Sequence, residues 1–279
     1  MSQPNILIIG GGAFGTSAAY HLFNRGYSNI TVLDRFSAPS RDAAATDLNK
    51  IIRYDYPNPL YTKLGPEAMD VWKNPNMLFQ GLFHGTERIL AAHDITRDFL
   101  QAAYGGIIRA GKKEVRWLST SETKKTWPRF TGPFKEWRDL WSPEAGWVPS
   151  GQPLHRFAIA AQANGVEYVS GDAGYVKQSL FNAKSEYIGA LAANCQPLKF
   201  NSNERDGDTR DINFRICAYP GTKNLFIGTG GSGHGFKFMP MIGEYIDNTL
   251  EGKLNKGYAE LWKWRSGATP VKTGREPRP

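Results

Sequence analysis

The chain has 279 residues, 41% of them apolar and 22% charged, with a formal charge of +8; such a composition is ordinary for a globular protein and long enough for one large domain or two modest ones. No apolar run is long enough to cross a bilayer, and two cysteines, Cys195 and Cys217, are too few for a disulfide framework and show no metal-ligand spacing. The basic residues are spread along the chain, densest at Lys112-Lys113 and in a tail with Lys272, Arg275 and Arg278, and no reader motif accompanies them, so nucleic acid is not an expected partner.

The N-terminal apolar stretch 6–9 runs straight into glycines, so it reads as a strand and not as a signal peptide. The final Arg278-Pro279 forms no peroxisomal address. The expectation is a soluble cytoplasmic protein without a metal.

Residues 5–9 form a short β-branched run, and Gly10-Gly11-Gly12-Ala13-Phe14-Gly15 follows at once. Residues 16–25 read as a helix with Ala18, Ala19, Leu22 and Phe23 on its apolar face; residues 29–33 read as a second strand that ends in Asp34. Strand, glycine turn, helix, strand and acid, in that order, mark a dinucleotide-binding unit. Gly10 permits the tight turn, Gly12 lets the backbone approach a pyrophosphate, and Gly15 lets helix and strand pack closely. The N-terminus of the helix that follows offers unpaired N–H groups and a partial positive charge to that pyrophosphate. Asp34 can accept bonds from ribose hydroxyls, and Arg35 beside it can meet a phosphate. This unit alone leaves FAD and NAD(P) both open.

A polar loop at 37–46 leads to Asp47-Leu48-Asn49-Lys50-Ile51-Ile52-Arg53-Tyr54-Asp55-Tyr56. On a strand, Lys50 and Ile52 point one way and Ile51 and Arg53 the other. The same pattern fits a sheet edge guarded by charge. Residues 182–211 are polar and short, and 201–208 read as a flexible loop. Residues 225–228 read as a buried strand, followed by a second glycine-rich turn, Thr229-Gly230-Gly231-Ser232-Gly233-His234-Gly235-Phe236-Lys237, and a helix over 239–250 that tolerates Pro240 in its first turn. A last helix is predicted over 256–264, and 266–279 reads as a polar tail.

Taken together, the turn at Gly10–Gly15, the run Asn49-Lys50-Ile51-Ile52-Arg53 and the run Gly231-Ser232-Gly233-His234-Gly235-Phe236-Lys237 resemble the fructosyl amino acid oxidases (amadoriases), saccharopine oxidase and monomeric sarcosine oxidase. The stretch 60–72, with Glu67 and Trp72, is similar to the helix that follows the second motif in that family, and 142–169, with Gly146-Trp147-Val148 and ending at Val169, is similar as well. The resemblance implies FAD as cofactor, with Gly10, Gly12, Ala13, Phe14, Gly15, Asp34, Arg35, Asn49, Lys50, Val169, Cys217, Gly231, Gly233, His234, Gly235 and Lys237 in or beside its site. It implies that Lys50 sits over the flavin and helps O2 accept electrons, and that Arg53 and Lys237 hold a substrate carboxylate. It implies that Cys217 forms a thioether with the flavin; read from the residue alone, Cys217 is equally a small buried apolar side chain.

The chain is shorter than that family in two places, between about residue 180 and residue 212 and again after Cys217, where Ala218-Tyr219-Pro220-Gly221 leads almost directly to Asn224. The expected fold is α/β: a Rossmann-type FAD-binding domain from 1–60 and 212–265, a reduced substrate-binding α+β region at 61–211, and the tail at 266–279. The expected activity is oxidation of the C–N bond of an N-substituted amino acid with O2 to give H2O2, by a monomer. A flavin-binding protein without turnover and an NAD(P)-dependent reductase are the competing readings. Which amine is the substrate is beyond the sequence.

Overall fold

The structure, a computed structural model, describes residues 3–41, 43–74, 78–112, 114–132, 137–171, 187–191, 209 and 211–265. The first sheet grows from the strand predicted at the N-terminus. β1 (Asn5–Ile9) is followed by α1 (Ala13–Asn24) and β2 (Ile30–Asp34), and β1 and β2 pair in parallel with Ile8 opposite Val32. α1 begins three residues earlier than the periodicity placed it, because the glycine turn itself winds into the first helical turn. β7 (Glu167–Ser170) adds outside β2, and β8 (Tyr187–Leu191), β10 (Leu225–Thr229) and β9 (Arg215–Ala218) add on the other side. The order is β7-β2-β1-β8-β10-β9, all parallel except the antiparallel edge strand β9.

The second sheet is antiparallel. β6 (Arg138–Val148) lies between β3 (Lys50–Ile52) and β4 (His84–Ala92), with β5 (Arg116–Leu118) also pairing to β6. Around the sheets lie α2 (Pro59–Lys73), α3 (Asp94–Arg109), α4 (Thr120–Thr126), α5 (Gly151–Ala163), α6 (Met239–Leu250) and α7 (Lys256–Trp262). α6 and α7 fall where the sequence predicts helices, α7 ending two residues short, and α2 covers the stretch that the resemblance gives as a helix.

Strand membership does not follow the expected division of the chain. β3 lies within 1–60 yet joins the second sheet, while β7 and β8 lie within 61–211 yet join the first. β8 also falls in the stretch read as polar and short. A five-residue strand carries no local record of which sheet it joins; that is decided by which edge is open when it arrives. The expected loop at 201–208, Cys195 and the tail at 266–279 lie outside the described residues.

One core cluster packs α1, α2, α6 and α7 around the first sheet, through Ile6, Ile8, Leu22, Val32, Leu64, Ile242 and Trp262. A second joins α2, α3 and α5 to the second sheet, through Ile52, Trp72, Phe79, Leu140 and Phe157. α2 serves both, burying Leu64 in one and Trp72 in the other. Among the described residues no helix is long and apolar enough to cross a membrane.

Candidate functional site

β1, β2, β7, β8 and β10 run the same way, so their carboxyl ends share one edge of the sheet. Chain order reverses between β1 and β8, and the crevice at such a reversal is where open α/β sheets bind ligands. The first glycine turn leaves β1 at that crevice. Gly10 has φ +104°, the left-handed region that only glycine enters freely. A Cβ on Gly15 would lie 1.9 Å from the Gly10 carbonyl oxygen, so the protein itself demands glycine there. Gly12 differs: a Cβ would meet only Ala43, at 3.8 Å. None of the described residues forbids a side chain at Gly12, and the open backbone face there fits close approach by a pyrophosphate. Gly12 is also the N-cap of α1, with no side-chain cap and no acid in the first turn, so the amides that follow are left for a ligand.

Asp34 closes this turn. Its Oδ2 accepts from Gly11 N at 2.7 Å, and its Oδ1 accepts from Phe36 N at 3.0 Å and Ser40 Oγ at 2.7 Å. The carboxylate therefore braces the turn, and Oδ2 keeps an unused acceptor position for a ribose hydroxyl. Arg35 is exposed beside it. Val169 stands opposite Leu33 at the same edge and is 44% exposed, a large apolar side chain in reach of a flat ring.

The second glycine turn leaves β10 at the same edge. A Cβ on Gly235 would lie 2.7 Å from Phe14 Cε2, so the two turns touch through the second residue of α1. Ser17 Oγ donates to Met239 O at 2.6 Å and accepts from Gly243 N at 2.9 Å, fastening α1 to α6. Gly231 O accepts from His234 N at 2.7 Å and Gly235 N at 2.8 Å, and Gly233 has φ +67°. The His234 ring stacks on Phe214 and bonds Ile212 O through Nε2 at 2.8 Å.

Arg53 and Lys237 come together from opposite ends of the chain. The Arg53 guanidinium lies 4.6 Å from the centre of the Tyr56 ring and the Lys237 ammonium 5.6 Å from it. Lys237 is 4% exposed; its Nζ donates to His234 O at 3.0 Å and its carbonyl accepts from Trp72 Nε1 at 2.8 Å. Lys50 shares the half-buried face of β3 with the buried Ile52, while Ile51 is 52% exposed, so the predicted alternation holds there. Its ammonium is paired with Asp47, and Asn49 beside it is exposed.

Cys217 faces Ile227 across the antiparallel pair β9–β10, two steps back from Thr229 and the glycine turn. Burial pushes its thiol up, against the opposing pull of Arg215. It is a free thiol.

Two residues of the cluster around Arg53 escaped the sequence reading. Asp55 is buried and bonded to both Arg53 and Arg88. A signal for Asp55 was present, since residues two apart on an extended strand share a side. No local signal could find Arg88, which arrives on β4.

A crevice flanked by two glycine turns, with an acid bracing the first, is a dinucleotide-binding arrangement; residues 5–179 match the family DAO, FAD dependent oxidoreductase, and the chain belongs to it. Among curated proteins it is similar to L-saccharopine oxidase of Schizosaccharomyces pombe, with 22% identity across 93% of each chain. That alignment runs over 405 residues against the 279 of this chain, so the relative carries internal stretches without a counterpart here. Among solved structures it is similar to a thermally stable mutant of fructosyl peptide oxidase, with TM-score 0.82 and 25% identity over 98% of this chain and 96% of that one. The fold is also that of the fructosamine oxidase Amadoriase II from Aspergillus fumigatus, with TM-score 0.74 and 23% identity over 94% of this chain and 89% of that one.

Proposed function

We propose that this chain is an FAD-dependent oxidase of an N-substituted amino acid, such as a fructosyl amino acid, saccharopine, sarcosine or pipecolate. The observation that carries this reading is the meeting of Arg53 and Lys237 at one aromatic ring, next to the turn that touches the first glycine turn. When bound, FAD would supply the redox chemistry: it would accept a hydride from the carbon of the C–N bond and pass the two electrons to O2, giving H2O2. The amides after Gly12 would hold the pyrophosphate and Asp34 the ribose, with the exposed Val169 beside them on β7. Arg53 grips the substrate carboxylate with two parallel bonds and Lys237 adds a point charge. Fixing the carboxylate fixes the neighbouring C–N bond, which is most of what the protein has to contribute. Water then hydrolyses the imine to an amine and a carbonyl compound.

On this reading the FAD-binding part draws on 1–60 and 212–265 together with β7 and β8, and the second sheet forms the substrate side. The protein works as a cytoplasmic monomer whose partners are the amine and O2. Anaerobic mixing of the yellow protein with the four amines tests the reading: one of them should bleach the flavin. Under air, Lys50→Met should then slow reoxidation by about 100-fold while leaving anaerobic bleaching intact, since a fixed cation stabilises charge developing on oxygen. A flavin that stays oxidised with all four amines refutes turnover. It would favour the second reading, a flavin-binding protein without catalysis, for which the missing internal stretches speak.

A thioether through Cys217 is the weaker part of the resemblance. Its thiol is held protonated by burial, and the thiolate is the nucleophile. The FAD is therefore expected to be noncovalent: acid precipitation should leave the yellow colour in the supernatant, and the intact mass should be that of the bare polypeptide. Flavin that stays with the pellet, and is released by Cys217→Ala, would show the bond exists.

A further inference from the structure

Arg53 is not a lone cation. Its Nη1 donates to Asp55 O at 2.6 Å and to Asp55 Oδ2 at 2.9 Å. The Arg88 Nη1 donates to the same carboxylate, at 2.6 Å to Oδ1 and 2.5 Å to Oδ2. The Asp55 side chain is 3% exposed, and those of Arg53 and Arg88 18% each. Burial alone would raise the Asp55 carboxyl, but the two guanidinium groups overrule it and hold it below the usual range.

The geometry of the Arg53 fork matters more than the charge. A guanidinium presents three edges, and the one best suited to a carboxylate from the side is formed by Nε and Nη2. Asp55 uses only Nη1. The Nε and Nη2 of Arg53 make no hydrogen bond to any described residue. The guanidinium also lies over the Tyr56 ring, 4.6 Å from its centre. Asp55 thus holds Arg53 through Nη1 alone and leaves its paired Nε and Nη2 donors unspent. The carboxylate can do so because it is itself tied down by Arg88, carried on a different strand of the second sheet.

We propose that Asp55 is a positioning residue: it anchors Arg53 through Nη1, is itself anchored by Arg88, and so presents the Nε–Nη2 edge of Arg53 to the substrate carboxylate. The proposal rests on the reading above that Arg53 takes that carboxylate. It makes a directional claim. If Asp55 merely competed with the substrate for Arg53, removing its charge would tighten anion binding. If Asp55 positions Arg53, removing it loosens anion binding despite the gain in positive potential.

The experiment is acetate binding to the FAD-loaded protein, followed by calorimetry, with flavin content as the control for folding. The wild type should bind acetate and Arg53→Met should lose it. Asp55→Asn should weaken acetate by about tenfold or more, the loss of a charge-assisted bond converted to affinity. With a substrate in hand, KM should rise by a similar factor while kcat stays put. Asp55→Glu keeps the charge, lengthens the arm and should also weaken acetate; it is the variant to read if the asparagine form sheds its flavin. Unchanged or tighter acetate binding in these variants overturns the proposal, as does loss of flavin from both, because Asp55 would then be holding the fold. Acetate binding that survives Arg53→Met, or is missing in the wild type, overturns the reading of Arg53 and this proposal with it. Loss in Arg53→Met with wild-type binding in the Asp55 variants sinks this proposal alone.

Discussion

Replacing Gly15 with alanine is expected to unmake the nucleotide turn, while the same change three residues earlier, at Gly12, is expected to leave the fold intact and remove the cofactor. A Cβ at Gly15 would sit 1.9 Å from the Gly10 carbonyl oxygen and 3.1 Å from Ile8 Cγ2. The nearest atom belongs to backbone, and the turn carrying it is bonded on both sides, Gly10 N to Leu33 O at 2.7 Å and Gly11 N to Asp34 at 2.7 Å. α1 cannot retreat instead, because Gly243 of α6 already packs so closely that a Cβ there would lie 2.3 Å from Ser17 O. The overlap must be relieved by moving packed elements, at a cost of about 3 kcal/mol or more. That is a large part of the ~5–15 kcal/mol that holds a domain together. At Gly12 the added methyl would meet only Ala43 at ordinary contact distance, so its effect falls on the ligand. Thermal unfolding and flavin content together check the pair. Gly15→Ala should lower the transition by many degrees or give insoluble protein; Gly12→Ala should be colourless and melt near the temperature of the flavin-free wild type. A yellow, stable Gly15→Ala protein would refute the packing argument.

Stability is expected to fall as pH rises from about 4 to about 8, and Asp247 is the cause. This residue of α6 is fully buried, and neither carboxylate oxygen has a hydrogen-bond partner. The Arg25 Nε lies 3.4 Å from Oδ2, near enough for attraction though not bonded to it. Burial dominates and pushes the Asp247 carboxyl up to about 8; Arg25 opposes this, and Glu251 and Glu244 add to it. Between the ordinary carboxyl value of 3.8 and about 8, the folded state keeps a proton that the unfolded chain has released. Raising pH through that window therefore favours unfolding, by a few kcal/mol once the folded carboxyl has ionised. Below the window both states are protonated and there is no penalty; above it both are ionised and the penalty is constant. Asp247→Asn cannot ionise, so its melting temperature should gain on the wild type as pH rises from 5 to 8.5. Melting curves that keep a constant offset over that range would rule Asp247 out as the source.

Much of the nucleotide site was legible along the chain because its physics is local. Gly10, Gly12 and Gly15 are spaced by the demands of one turn and one helix start, and Asp34 stands where the next strand ends. The helix over 239–250 showed itself by its apolar spacing, and the structure places it there. β8 was not legible: it lies in a stretch whose composition reads as loop, and it becomes a strand by pairing on both sides with β1 and β10. The cluster around Arg53 was half legible. Arg53 and Lys237 stood out by resemblance and Asp55 lay two residues from Arg53, but Arg88 is an ordinary residue of β4 until the second sheet brings it to Asp55.

By itself the chain of residues determined the class of fold and the first glycine turn, because each depends on spacings of a few residues. Only the tertiary structure decided which strands share a sheet, that the two glycine turns meet at Phe14, and that Arg53 is braced by Asp55 and Arg88. Those contacts join residues far apart in sequence, and their energies exist only once sheet order and packing have closed the distance.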